Sequence, residues 1–287
     1  MRLVLAAFLA LFPLYVMAFD FTCAREADYL PEVDPEAQEL FMQTRRAEVK
    51  RGKKDHANIT GLYELAADKG HWKAMHNLFL RYLKGKGTPR DSGKAIKLNQ
   101  KLVDMNVPIG YYNMAVLLEK GHGVIGSDKD SAQYLLKAAS MGEPNALIRL
   151  GNFYGFQLPL EKQQDDKASA YYKCAAKQDV TIGYYEYARW LKIGEENYPK
   201  SAYYYLLAFL GGHYGSGVVI SSVFEGGTGG LGYEENEKYS SQLSALLPSF
   251  SKDPLYRIPN IAELYPLPYH PTMGRYNPET DQNEMPE

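Results

Sequence analysis

The chain is poor in cysteine, balanced in charge, and lacks any apolar run of membrane-spanning length beyond its first 18 residues. Each shortage removes a class of function. A formal net charge of -2 gives no basic excess for nucleic acid or an anionic membrane surface. The six histidines include one close pair, His71 and His76, and a spacing of five does not align two metal ligands on one helix face. No Gly-x-Ser-x-Gly elbow occurs, so the usual nucleophile of an α/β-hydrolase is missing. The glycine-rich run 226–232 is followed by no Gly-Lys-Ser/Thr and preceded by no strand signal, which argues against a phosphate cradle. No catalytic residue, metal ligand or cofactor site is assigned.

The amino-terminal end reads as an export signal. Arg2 supplies the positive start, 3–18 is apolar, and Val16-Met17-Ala18 suits cleavage before Phe19. Asp20-Phe21-Thr22 before Cys23 does not suit lipid attachment. The expectation is an exported, periplasmic protein, its signal peptide (1–18) removed and no stable membrane insertion afterwards. Cys23 and Cys174 then enter an oxidising compartment.

What the chain does have is a repeat. GYYNMA at 110–115 and GYYEYA at 183–188 are near copies 73 residues apart. Ala74, Gly110, Ala146 and Gly183 are spaced 36, 36 and 37. Leu78, Met114, Leu150 and Tyr187 follow at the same intervals, and Ala95, Ala132, Ala168 and Ala202 come at 37, 36 and 34. A period near 36 with small residues at fixed places means stacked helix pairs, a solenoid, which works by presenting a surface. The expected boundaries are an amino-terminal segment with capping helices (19–70), the repeats (71–247, four clear and one degenerate), and a proline-rich extension (248–287). First helices are expected to stop at Gly85, Gly121, Gly155 and Gly194 in left-handed turns. Asp91, Asp128 and Asp165 are expected to cap the second helices. Pro248, Pro254, Pro259, Pro266, Pro268, Pro271, Pro278 and Pro286 forbid continuous helix in the extension. Tyr265, Leu267 and Tyr269 are expected to be buried on the later repeats, with the last ten residues or so disordered.

Cys174 falls where Ala138 and Ala208 sit in neighbouring repeats, a slot for small residues. Two readings stay open: a buried free thiol, or a disulfide to Cys23. A candidate binding stripe lies on the first helices. Asn77, Asn113, Arg149 and Glu186 form a column that is polar in all four repeats, so solvent exposure on the inner wall is expected. Lys84 and Lys120 lie seven residues further, Asn152 and Arg189 three further. Tyr112 and Tyr185 flank the column as stacking residues or interface anchors.

The pattern resembles the Sel1-like repeat, a relative of the tetratricopeptide repeat. The second repeat carries it best, with Asn113-Met114-Ala115, Lys120-Gly121-His122-Gly123-Val124, Asp130-Ser131-Ala132 and Leu136-Lys137-Ala138-Ala139-Ser140-Met141-Gly142. The resemblance implies an all-α fold, a right-handed α-solenoid of helix-pair repeats with a proline-rich extension. Residues 257–268 resemble the extension of exported bacterial Sel1-like proteins, some of which are immunity proteins against type VI secretion effectors of the phospholipase type. That implies a non-enzymatic protein that binds and neutralises a secreted antibacterial lipase or phospholipase. A periplasmic scaffold assembling envelope proteins is the alternative, and a cell-wall or β-lactam hydrolase the third reading.

Overall fold

The computed structural model describes residues 21–50, 52–226, 230–253, 255–259 and 261–286. The expected signal peptide and the middle of the glycine-rich run lie outside the described residues. The described chain is mostly helical and is built of paired helices. Two capping helices, α1 (Pro35–Val49) and α2 (His56–Asp68), precede the repeats. The repeats follow as pairs: α3 (Trp72–Lys84) with α4 (Ser92–Asp104), α5 (Pro108–Lys120) with α6 (Asp128–Ser140), α7 (Pro144–Asn152) with α8 (Asp165–Ala176), α9 (Thr181–Ile193) with α10 (Tyr198–Leu210), and α11 (Tyr214–Phe224) with α12 (Glu237–Ser244).

Local chemistry sets the helix ends. Asp34, Asp55 and Asp91 accept backbone N–H groups as N-caps of α1, α2 and α4. Pro35, Pro108 and Pro144 stand at the first helical position, where the missing N–H costs nothing. Two expected caps are corrected. Ser127, not Asp128, caps α6, and Asp165 lies in the first turn of α8 after a Gln164 that makes no side-chain cap. At the other ends, Gly85 and Gly121 are left-handed, with φ of 66° and 62°, so the first two repeats stop as expected. Gly194 is right-handed instead, and Gly155 lies within a π-helical turn, Phe153–Gln157, that continues α7.

Small residues let the helices close. A Cβ on Gly183 would stand 2.2 Å from the Ala175 carbonyl oxygen, so only glycine permits this approach of α9 to α8. Ala74, Ala146, Ala95 and Ala168 are fully buried. The second-helix register is corrected by one residue at two places: Ala132 is exposed, and Ala202, though buried, lies one position past the slot. The slot of Ala95 and Ala168 is filled by Ser131 and Ser201, whose hydroxyls donate to the Ala115 and Ala188 carbonyls at 2.9 and 2.8 Å. A buried serine is tolerated there because its hydroxyl is satisfied across the helix pair.

Both ends of the described chain are tied to the third repeat. Cys23 is bonded to Cys174, the Cα atoms 5.5 Å apart, which decides between the two readings. Cys174 is buried as its small slot requires, but it is not a free thiol. The bonded segment continues as a strap. Phe21 packs on Tyr171, Gln178 clasps Ala24 and Glu26, and Leu30 and Val33 join the amino-terminal core.

The described residues of the carboxy-terminal extension fold into defined elements, which corrects the expectation of a disordered tail. It forms α13 (Leu247–Lys252), α14 (Ile261–Leu264) and an antiparallel hairpin of β1 (Arg275–Asn277) and β2 (Gln282–Glu284). Leu267 is buried and Tyr265 partly so, whereas Tyr269 is 43% exposed against expectation. The hairpin holds because Tyr276 is buried beside Tyr203 and Tyr204, and because Asp281 accepts from Lys173 and Lys200 at 2.7 and 2.6 Å.

Candidate interaction surface

The first helices α3, α5, α7 and α9 carry the polar column, but its members behave differently. Asn113 is buried, which corrects the expected exposure. Its amide bonds to His76 Nδ1 at 3.1 Å across 37 residues, pinning α5 to α3. Burial holds the His76 imidazolium down, its pKa near 4, so the ring stays neutral. Asn77 donates to the Tyr63 hydroxyl and Asn152 accepts from the Tyr172 hydroxyl, so both also join neighbouring helices. These asparagines are polar because the stack needs hydrogen bonds between helices. Tyr112 is half-buried against two core clusters, and burial raises its pKa. Tyr185 is half-buried beside His213, at a ring distance of 4.3 Å.

The charged members reach solvent. Lys84 and Lys120 are exposed. Arg149 pairs with Glu119 of α5 at 2.6 Å and Arg189 with Glu186 at 2.7 Å, and both guanidiniums remain partly accessible. Arg189 also lies over the Tyr185 ring at 5.9 Å. The members of the column that stay accessible are thus Lys84, Lys120, Arg149, Glu186 and Arg189 with the Tyr185 edge. These groups offer charge-assisted hydrogen bonds.

Two apolar residues that sequence reasoning left out, Leu136 and Phe153, line one cleft with Arg149. Phe153 and Phe156 on the π turn are 42% and 43% exposed, and Leu136 on α6 is 50% exposed. A signal for them exists in the repeat. Gln157 and Pro159 stand 36 residues after Gly121 and Gly123, so the third repeat lacks the two glycines of the loop. Without a residue suited to the left-handed stop, α7 widens into the π turn and its aromatic side chains emerge.

Among the described residues, no group of three or more His, Cys, Asp or Glu side chains could hold a metal ion. Nor is any helix there long and apolar enough to cross a membrane.

Comparison with solved structures gives matches over nearly the whole chain. The crystal structure of immunity protein Pa5087 from Pseudomonas aeruginosa is 32% identical, with a TM-score of 0.76, and the match covers 89% of this chain and 97% of that one. Immunity protein PA5088 of the same organism is 34% identical, with a TM-score of 0.73, over 88% of this chain and 96% of that one. A further Pseudomonas aeruginosa structure, PA5086, is 36% identical, with a TM-score of 0.74, over 88% and 97%. No curated protein sequence matches the chain. The Sel1 repeat family matches residues 61–71, 72–106, 108–143, 144–180 and 181–213, and the chain belongs to that family.

Proposed function

We propose that this protein is a periplasmic immunity protein that binds one secreted antibacterial toxin, a lipase or phospholipase delivered by type VI secretion, and blocks its active site or its approach to the membrane. The observation that carries the reading is the near full-length likeness to two proteins described as immunity proteins. The surface supports it physically. Arginine, lysine and tyrosine on a rigid array of first helices are the residue types that dominate protein interfaces. The toxin is neutralised by occlusion, because stoichiometric binding needs no turnover.

The test is protection. A candidate lipase or phospholipase toxin, sought first among the genes adjoining this one, is expressed with a periplasmic signal, alone or together with this protein. Parent protein should restore growth. Double reversal by Arg149→Glu and Arg189→Glu should keep the helical content and weaken binding by about 2 kcal/mol or more. Failure of the parent to protect at any expression level removes the immunity reading. Equal protection by parent and double mutant at low expression removes this stripe as the interface.

A further inference from the structure

Among the described residues, the loops of the first, second and fourth repeats each reach the start of the second helix of the preceding pair, and that of the third does not. The loop of the first repeat folds over the start of α2. A Cβ on Gly87 would stand 1.9 Å from the His56 carbonyl oxygen and 2.8 Å from Thr60 Oγ1, and Thr60 donates to the Lys86 carbonyl. The loop of the second repeat folds likewise over the start of α4. A Cβ on Gly123 would stand 2.8 Å from Ile96 Cδ1 and 3.1 Å from Ser92 Cβ, and Val124 packs on the same core as Ile96. The loop of the fourth repeat reaches the start of α8, where Ser169 donates to Glu195. The positions used are the first and fifth residues of α2 and α4 and the fifth of α8.

Their counterparts on α6 are Asp128 and Ala132, and both line an open cleft. The third repeat has Gln157 and Pro159 in place of the two glycines, and its π turn does not cover them. The cleft holds about 350 Å³ between α6 and α7. Ala132, Leu135, Leu136, Leu150 and Phe153 make its apolar wall. Its charged lining is Glu119, Asp128 and Arg149, two carboxylates against one guanidinium.

We propose that this cleft seats a loop of the partner protein that imitates the missing glycine loop. A branched aliphatic side chain enters beside Leu136 and Phe153, and a flanking Lys or Arg meets Glu119 and Asp128. The chain's own second-repeat loop, Lys120-Gly121-His122-Gly123-Val124, shows the required chemistry: a cation, two glycines for close backbone approach, and an aliphatic anchor. An exposed apolar cleft beside ion pairs is a favourable place for a binding anchor, because a buried side chain there gains from desolvation while the rim supplies orientation. The inference rests on the protein-binding reading and is indifferent to whether the partner is a lipase.

Two measurements on the full chain test it. The first uses a synthetic peptide of residues 120–126 as probe. In NMR titration it should shift the resonances of Ala132, Leu136, Leu150 and Phe153, and the shifts should vanish in Ala132→Trp. That variant fills the cleft from an exposed position, so its melting temperature should match the parent. The second measures affinity for the toxin that this protein neutralises in the protection assay. Ala132→Trp and Leu136→Lys should each weaken it by at least about tenfold. Peptide shifts elsewhere or unchanged in Ala132→Trp, or parental toxin affinity in both variants, would overturn the proposal. So would a parent dimer that Ala132→Trp dissociates, since the occupant would then be a second copy. If the parent binds no toxin, the immunity reading falls and the peptide alone decides the cleft.

Discussion

The two ends of the described chain meet on adjacent residues of α8 and are held there by opposite kinds of force. Cys174 holds the amino-terminal strap by a covalent bond to Cys23. Lys173 holds the carboxy-terminal hairpin by an ion pair with Asp281, which Lys200 and Tyr276 also engage. The strap buries little of its own, since the residues from Phe21 to Leu30 are half-buried or exposed. A segment with so few apolar contacts needs the bond to stay down. The hairpin buries Tyr276 against two tyrosines of α10 and can be held by non-covalent contacts. A covalent tie does not respond to salt or pH, whereas an ion pair responds to both.

That contrast can be broken first at the bond. Cys23→Ala with Cys174→Ala opens a link between residues 151 apart and should cost about 2–4 kcal/mol of global stability. Hydrogen exchange should find amides of 23–30 losing protection while 275–284 keep theirs. Simultaneous loss at both ends would show that the ends depend on each other. A smaller effect is expected at the hairpin. Asp281→Asn suits the left-handed backbone there, φ 55°, and removes only the charge. It leaves the buried Lys200 ammonium without its carboxylate and should cost about 1 kcal/mol, less at high salt. Urea unfolding at low and high salt reads the difference, and a salt-independent loss would mean that Asp281 acts by shape and hydrogen bonding.

The stack was legible in the sequence because close helix packing demands small residues at a fixed period, and Gly110, Ala146 and Gly183 display it. Less legible was what a polar residue does within the stack. Asn113 looked like a surface residue because its partner, His76, lies in the previous repeat, and no period announces a hydrogen bond between helices. Ala132 was misplaced by one residue because Ser131 fills the small slot with a hydroxyl whose acceptor is 16 residues away. Proline content correctly excluded long helix in the extension. It could not reveal a hairpin whose order depends on Lys173 and Lys200, more than 80 residues earlier. The disulfide stayed open in the sequence for the same reason, since two cysteines 151 apart meet only after the repeats have stacked.

The smallest expected effect separates the two ends by the sign of their response to pH. Under the strap, burial pushes Glu143 up to about 7 even though the Ala146 N–H and the Asn145 amide donate to it. Burial and the nearby Glu143 push Glu26 of the strap up to about 7 as well, and Lys73 opposes that rise only in part. A carboxyl whose folded pKa is raised binds protons in the folded state first. Its stabilising contribution is therefore complete at low pH and is lost as pH rises from about 4.5 to about 7. Asp281 is the reverse: burial raises its pKa, but the two lysines and Tyr276 together hold it well below the usual carboxylate range, so its contribution is present at neutral pH and lost only on acidification. The strap should thus be held more tightly at pH 5.5 than at pH 8, and the hairpin should not follow. Global melting would blur this, because burial keeps His71, His76 and His213 low and so penalises acid. A local readout avoids the problem: exchange of the Glu26 amide, which donates to Gln178 Oε1 at 2.8 Å. Glu143→Gln keeps an oxygen to cap α7 and removes the titration, so its Glu26 amide should show a flatter pH dependence of opening, by about 1 kcal/mol between pH 5.5 and 8. An identical pH dependence in parent and variant would assign the response to Glu26 alone, and a parent whose strap loosens on acidification would reverse the asymmetry between the two ends.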